Sequence, residues 1–143
     1  MIQGLGVDTV EIERIGRVMT RWPGFLERVL TDRERVEVAH AVHRVAARWA
    51  AKEAFFKALD LPAKGLILSW REVEVRNTLT GRPFFNLSGK IESLVRRRGW
   101  RLHLSLSHDR ERAIAIVLVE KIPRSRKGIA WGYKPERRSG SWN

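Results

Sequence analysis

Residues 45–59 read VAARWAAKEAFFKAL, and this stretch decides the fold. It is rich in alanine and other strong helix formers and contains neither glycine nor proline. Its charged residues are Arg48, Lys52, Glu53 and Lys57, too few to clothe a solvated face, so most of the helix circumference should be buried. A helix buried on most sides needs other elements around it, which makes this segment the centre of a domain. Leu61-Pro62 ends it.

Upstream, Thr31-Asp32-Arg33-Glu34 has the capping-box pattern, with Thr31 as N-cap, and predicts a helix over residues 32–43. Ile12, Ile15, Val18, Met19 and Trp22 recur at spacings of three and four, predicting an amphipathic helix over 10–21. Its other face carries Glu11, Arg14, Arg17 and Arg21, and Pro23-Gly24 stops it. Ile2, Leu5 and Val7 alternate with glycines and polar residues, predicting a strand over 1–7, where Gly4 and Gly6 suggest either close backbone approach or a bend. Asp8 then falls where the first strand meets the first helix.

Downstream, Val73 and Val75 mark a strand over 70–76, residues 77–81 a turn, and 83–87 the returning strand of a hairpin. Ser88 is placed to cap a helix over 89–98. Residues 101–107 alternate, with Leu102, Leu104 and Leu106 on one side and Arg101, His103, Ser105 and Ser107 on the other. Residues 108–111 form a polar turn, and 113–119 are a nearly continuous apolar strand, expected to be buried on both faces. The order β-α-α-α-β-β-α-β-β argues α+β, with a small antiparallel sheet and packed helices.

The 143 residues fit one domain, and 43% hydrophobic content is enough for a core. No apolar run approaches the roughly 20 residues of a membrane span. The first residues lack the basic-then-apolar pattern of a signal peptide, and there is no cysteine. These features favour a cytoplasmic protein without membrane association. The formal charge is +12, which favours a polyanionic partner. Half of that excess lies in residues 121–143, a segment without period that mixes Pro, Gly and Ser with basic residues and two Trp. It reads as a mobile extension on a domain spanning 1–120.

Several residues carry chemistry on one reading and none on another. Asp8 is either an acid stabilised by a helix dipole or a metal ligand. Glu53 and Lys57 are either an i,i+4 ion pair, worth about 0.2–0.5 kcal/mol, or parts of a site. Charges on so apolar a helix must pair, bind an ion or reach a cleft. A second carboxylate meeting Glu53 would make a site for Mg²⁺, which takes one or two carboxylates plus phosphate oxygens and water. Ser105, Ser107 and His108 are either solvent-side residues before a turn or hydrogen-bond donors to a phosphate. His40 and His43, three apart with no third ligand nearby, read as a solvated helix face. Arg14, Arg17 and Arg21 are either a solvated basic face or a docking surface for an acidic helix.

Four segments together resemble a known family: GLGVDTVEIERI (4–15), RWAAKEAFFKAL (48–59), WREVEVRNTLTGRPFFNLSG (70–89) and LSLSHDRERAIAIVLVE (104–120). Their order and spacing are similar to the bacterial holo-acyl-carrier-protein synthases, small 4′-phosphopantetheinyl transferases. The resemblance covers about residues 1–120. It implies the 4′-phosphopantetheinyl transferase fold, assembled as a homotrimer. It also implies an enzyme that moves phosphopantetheine from coenzyme A to a serine of an acidic apo acyl carrier protein, releasing 3′,5′-ADP. By the same resemblance Asp8 and Glu53 bind Mg²⁺, and Lys57 contacts the pyrophosphate. Lys52 belongs to the motif but could serve structure. His108, with Ser107, lies near the nucleotide's 3′-phosphate, for which Arg44 and Arg48 are further candidates. Glu53 or a water takes the serine proton. Arg14 and Arg21, extended by Phe25 and Arg28, dock the carrier. The active sites lie between subunits, with Asp8 and Glu53 from one and His108 from its neighbour. Where the family usually has a glycine-rich turn, this chain has Asp60-Leu61-Pro62-Ala63-Lys64-Gly65. A competing reading, a basic nucleic-acid module, finds no helix-turn-helix, RNP or zinc pattern to support it.

Overall fold

The computed structural model describes residues 1–60 and 69–123, so the loop expected to depart from the family (61–65) and the tail from 124 lie outside the described residues. Strand β1 spans Ile2–Glu11, and helices α1 to α4 span Ile12–Arg21, Phe25–Val29, Asp32–Val38 and Val42–Leu59. A single 3₁₀ turn, Trp70–Glu72, leads into the hairpin β2 (Val73–Asn77) and β3 (Pro83–Leu87). Helix α5 (Gly89–Arg98) then precedes β4 (Trp100–His108) and β5 (Arg112–Lys121). The expected α+β class holds. The strands form two antiparallel units, a three-stranded sheet in the order β1-β5-β4 and the separate β2-β3 hairpin. None of the described helices is long and apolar enough to cross a membrane.

Helix α4 lies across one face of the three-stranded sheet. Ala50, Ala51, Ala54, Phe55 and Ala58 are buried there against Ala113, Ala115, Val117 and Val119 of β5. The approach to β1 is closest. A Cβ on Gly4 would overlap the Ala58 carbonyl oxygen, and one on Gly6 would overlap the Ala54 carbonyl oxygen and come within 2.7 Å of the Ala58 nitrogen. Glycine on the strand and alanine on the helix therefore bring two backbones into direct contact, as the sequence suggested.

Four elements differ from their expected bounds. β1 continues to Glu11 because Thr9, Val10 and Glu11 pair with Ile114, Ala113 and Arg112, and this pairing overrides the helical spacing that begins at Val10. Asp8 is thus inside a strand, four residues from α1, and a helix dipole does not explain it. The helix expected over 32–43 stops at Val38, where Ala39 and His40 take positive φ values of 46° and 61°. That break turns the chain so that both Val38 and Val45 enter the core. It also leaves His40 in the turn and His43 on α4. The short α2 was not anticipated; it follows Gly24 at φ 88° and buries Val29. The strand expected from residue 70 begins at Val73, because Trp70 is held in the 3₁₀ turn with its ring 5.0 Å from Trp49 and 4.9 Å from Phe56.

Two finer expectations also change. Ser88 makes no capping bond; the Glu72 carboxylate accepts from the Ile91 N–H at 3.0 Å instead. β5 is buried on one face only. Ala113, Ala115, Val117 and Val119 face α4, whereas Ile114 and Ile116 remain 41% and 44% exposed. With Leu5 and Val7 of β1 they form an apolar outer face, because the helices cover only the other side of this sheet.

The core also holds a buried ionic knot. The Lys52 ammonium donates to Glu34 (2.7 Å), the Val29 carbonyl (2.6 Å) and the Trp70 carbonyl (3.1 Å). Glu34 completes the predicted capping box with Thr31 and accepts from the Val75 N–H at 2.8 Å. Burial pushes the Lys52 pKa down and the Glu34 charge partly restores it. Lys52 of the family motif thus serves structure, tying α2, α3, α4 and β2 together.

The two kinds of glycine environment can be told apart by urea unfolding. Gly6→Ala should destabilise the fold by about 3 kcal/mol, since backbone cannot yield to the new Cβ. Gly16→Ala, inside α1 with only Val42 methyls at 3.5 Å and beyond, should gain roughly 0.5–1 kcal/mol. Equal effects at the two positions would contradict the packing described.

Candidate active site

Residues of one parity along β1 face α4. Gly4 and Gly6 make the contact, and Asp8 follows on the same face, paired with the buried Ala115. On α4, Glu53 and Lys57 are one turn apart beside the buried Ala54 and Ala58. The close contact thus delivers the short Asp8 side chain to the helix. Lys57 Nζ donates to Asp8 Oδ1 at 2.7 Å and to the Val7 carbonyl at 3.3 Å. The i,i+4 pair between Glu53 and Lys57, one reading of the sequence, gives way to this longer-range pair.

Charge at this corner is unbalanced. The Glu53 carboxyl is half-buried and its pKa is raised, first by burial and then by the negative charge of Asp8; Lys57 pulls it back. The Lys57 pKa is raised by its hydrogen bond to Asp8 and by the charges of Asp8 and Glu53, so it stays cationic. Two carboxylates against one ammonium leave a net negative site of hard oxygen donors. Among the described residues no cluster of three or more His, Cys, Asp or Glu side chains offers a complete metal cage. Two carboxylates with positions left for phosphate oxygens and water are the donor set that magnesium favours.

The remaining predicted residues stand elsewhere. His108 ends β4 on the α4 side and stacks on His43 at 5.4 Å between centroids. His43 precedes Glu53 by ten residues on α4, about 15 Å of helix, so one chain does not bring His108 to Asp8 and Glu53. Ser105 and Ser107 pair with Ile116 and Ile114 on the outer face. The expected polar cluster of Ser105, Ser107 and His108 is therefore divided between two faces of the sheet. Arg48 is buried and bonds Glu37 at 3.2 Å, while Arg44 donates to the Glu37 carbonyl at 3.2 Å.

Arg14 and Arg21 are exposed on α1, Arg28 is exposed on α2, and Phe25 is half-buried with its ring 5.6 Å from Trp49. Arg17 and Arg21 line a groove of about 910 Å³ with Ile12, Glu13, Gly16, Thr20, Val42 and Arg110. Arg110 went unnoticed in the sequence, and His43 read there only as part of a solvated helix face. Both reach their positions only through the β4–β5 turn folding back on the start of α4.

The α+β scaffold thus carries a carboxylate–carboxylate–lysine corner on α4 and β1 and a separate basic groove along α1 and the start of α4. The model of the 4′-phosphopantetheinyl transferase superfamily matches residues 4–117. The chain is 39% identical over 126 residues to a holo-[acyl-carrier-protein] synthase of Syntrophus aciditrophicus, covering 84% of this chain and 97% of that protein. Its fold is similar to the crystal structure of the Neisseria meningitidis holo-[acyl-carrier-protein] synthase, with a TM-score of 0.77, 33% identity and coverage of 85% and 100% of the two chains. It is also similar to the Bacillus anthracis synthase in complex with CoA (3′,5′-ADP), with a TM-score of 0.70, 35% identity and coverage of 85% and 99%. The chain belongs to the 4′-phosphopantetheinyl transferase superfamily and groups within it with the holo-[acyl-carrier-protein] synthases.

The raised Glu53 pKa has a signed consequence. The folded state holds this proton more tightly than the unfolded state, so the contribution of Glu53 to stability is fully present below the ordinary glutamate pKa. It is lost as pH rises from there through the raised value. Without divalent metal at neutral pH, Glu53→Gln should therefore raise Tm by roughly a few degrees. Added Mg²⁺ should raise the Tm of the parent chain but not of Glu53→Gln. A variant less stable than the parent, still responding to Mg²⁺, would contradict both statements.

Proposed function

We propose that this chain transfers 4′-phosphopantetheine from coenzyme A to a serine of an apo acyl carrier protein and releases 3′,5′-ADP. The observation that carries the reading is the Asp8–Lys57 bond at 2.7 Å beside the half-buried Glu53, in a chain matched to the superfamily from residue 4 to 117. Asp8 and Glu53 would hold Mg²⁺. Bound there, the ion would neutralise pyrophosphate oxygens and the charge developing on them.

The chain's own groups do the rest. Lys57 stays protonated and meets the pyrophosphate as a fixed positive charge. The serine hydroxyl loses its proton to Glu53 or to a water beside it. Its oxygen bonds to the phosphorus of the pantetheine phosphate as the bond to the bridging oxygen breaks, and 3′,5′-ADP leaves with the electron pair. Glu53, whose pKa burial and the Asp8 charge raise, is the carboxylate placed to accept that proton. Arg14, Arg21 and Arg28, with Phe25 behind them, form the side on which an acidic carrier would dock, and the groove beside α1 adds Arg17 and Arg110. His108 would serve the nucleotide, whereas Ser107 lies on the opposite face of the sheet and Arg48 is engaged by Glu37.

A homotrimer accounts for two features together. Leu5, Val7, Ile114 and Ile116 leave an apolar sheet face open. His108 is remote from Asp8 and Glu53 in its own chain, so a neighbour would have to supply it. The competing nucleic-acid reading rests on the +12 charge and the Trp-bearing basic tail of the sequence, with no recognition motif beside them. The bacterial synthases to which the chain is similar favour a cytoplasmic enzyme.

Mass spectrometry of an apo carrier protein with this chain, coenzyme A and Mg²⁺ should show the addition of one phosphopantetheine. Asp8→Asn and Glu53→Gln should slow transfer by roughly a hundredfold or more, and Arg21→Glu should raise the carrier KM with little change in kcat. No addition under conditions where a known synthase works would overturn the reading. Ile116→Lys should reduce the mass measured in solution from three chains to one, and an unchanged trimer would place the interface elsewhere.

A further inference from the structure

Of a second cluster of side chains, only His108 serves the proposed transfer. His43, near the start of α4, and His108, at the end of β4, are exposed and stack 29° from parallel. They share a pocket of about 400 Å³ with Ile12, Val42, Asp109 and Arg110.

The charges facing this pair come from every neighbouring element. In the β4–β5 turn, the Asp109 carboxylate accepts from the Glu111 and Arg112 N–H groups at 2.8 and 2.7 Å. Those bonds hold it below the usual carboxylate range, so it is ionised and engaged with its own turn. Arg110 adds a permanent positive charge at the pocket. On β1 and β5, Glu11 and Arg112 pair at 3.3 Å. On α1, Glu13 and Arg17 pair with each other at 2.5 Å. On α4, Arg44 is bonded to the Glu37 carbonyl. Arg48, a candidate for the nucleotide phosphate by resemblance, is also committed to Glu37. A phosphate approaching His108 therefore meets Arg110 and the two imidazoles rather than a cluster of free arginines.

We propose that His43 is a further donor-binding residue: with His108 it receives the phosphomonoester at the nucleotide end of the donor, and protonation of the pair controls that binding. The proposal rests on coenzyme A being the donor. Side by side, two neutral rings coexist without penalty, but a proton on one disfavours a proton on the other. A phosphate dianion against both edges reverses this, since each imidazolium then donates a charge-assisted hydrogen bond. Binding of the phosphomonoester should strengthen as pH falls from about 8 to about 6.5, over which the phosphate, with a second pKa of about 6, stays mostly a dianion. Both histidines belong to one chain, so they enter a neighbouring subunit's site as a unit.

The test uses the full chain and a pair of nucleotides, 3′,5′-ADP and 5′-AMP, which differ in the 3′-phosphate. Calorimetry should show that the parent prefers 3′,5′-ADP increasingly as pH falls. His43→Gln should weaken 3′,5′-ADP by about tenfold near pH 6.5, leave 5′-AMP within about twofold, and flatten the pH dependence. His43→Arg should regain the affinity but not the pH dependence. In steady state, His43→Gln should raise the KM for coenzyme A and not that for dephospho-coenzyme A, with kcat retained. A preference that follows the parent at every pH, or an equal loss for both nucleotides, would overturn the proposal. Failure of transfer with His43-dependent 3′,5′-ADP binding intact would instead remove the transferase reading and leave the subsite standing.

Discussion

The contact between β1 and α4 is the constraint on which the site depends. At Gly4 and Gly6 there is no room for a single carbon between strand and helix, because the Ala58 and Ala54 carbonyls occupy it. Alanine on the helix side removes bulk as thoroughly as glycine does on the strand side. Asp8 carries only one methylene before its carboxyl group, and it bonds the Lys57 ammonium at 2.7 Å because the two backbones already touch. A larger residue at either glycine would push the helix outward by about the width of a methyl group and open the Asp8–Lys57 bond. Packing and chemistry thus use the same two turns of α4.

Adjacent residues on that helix do opposite work. Successive side chains on an α-helix are turned by about 100°, so Lys52 enters the core while Glu53 reaches its edge. Lys52 has three acceptors for three N–H groups, and its carboxylate partner is itself fully bonded. A buried pair of this kind adds little net stability over an apolar replacement, yet removing one partner alone costs about 3–5 kcal/mol. Its effect is to fix where α4 stands relative to α2, α3 and β2. Glu53 inherits that placement. Its raised pKa comes from being half-buried near Asp8 on a helix that cannot shift to relieve it.

What the sequence made legible follows from how local each signal is. The capping box at Thr31, the hairpin, α5 and the alternation of β4 were readable because a few neighbouring residues determine them. The start of α1 was misjudged because Val10 fits both a helical spacing and a strand, and pairing with Ala113 decided between them. The break at Ala39 and His40 carries no glycine or proline to announce it, and only the burial of Val38 and Val45 demands it. Asp8, Glu53 and Lys57 were visible as a group through their motif, not through any local period, and which carboxylate Lys57 would bond required the fold. The separation of Ser107 from His108 was available all along: neighbours in a strand face opposite sides, so parity alone divides them.

The same parity bears on the unit that works. Among the described residues nothing covers outward-facing Leu5, Val7, Ile114 and Ile116, and a sheet normally buries its apolar face against another element. Among the described residues, α4 is committed to the other side, held there by the glycine contact and the Lys52 knot. His43 and His108 stand at one end of α4 and Glu53 and Lys57 toward the other. No hinge among the described elements brings these ends together without breaking the α4–β1 contact. A symmetric assembly that covers the outer face satisfies both demands at once, because it can set one chain's histidines against the next chain's carboxylates while each α4 stays in place. In the proposed assembly, the rigidity that keeps one chain from completing the site would make the shared site the same in every subunit.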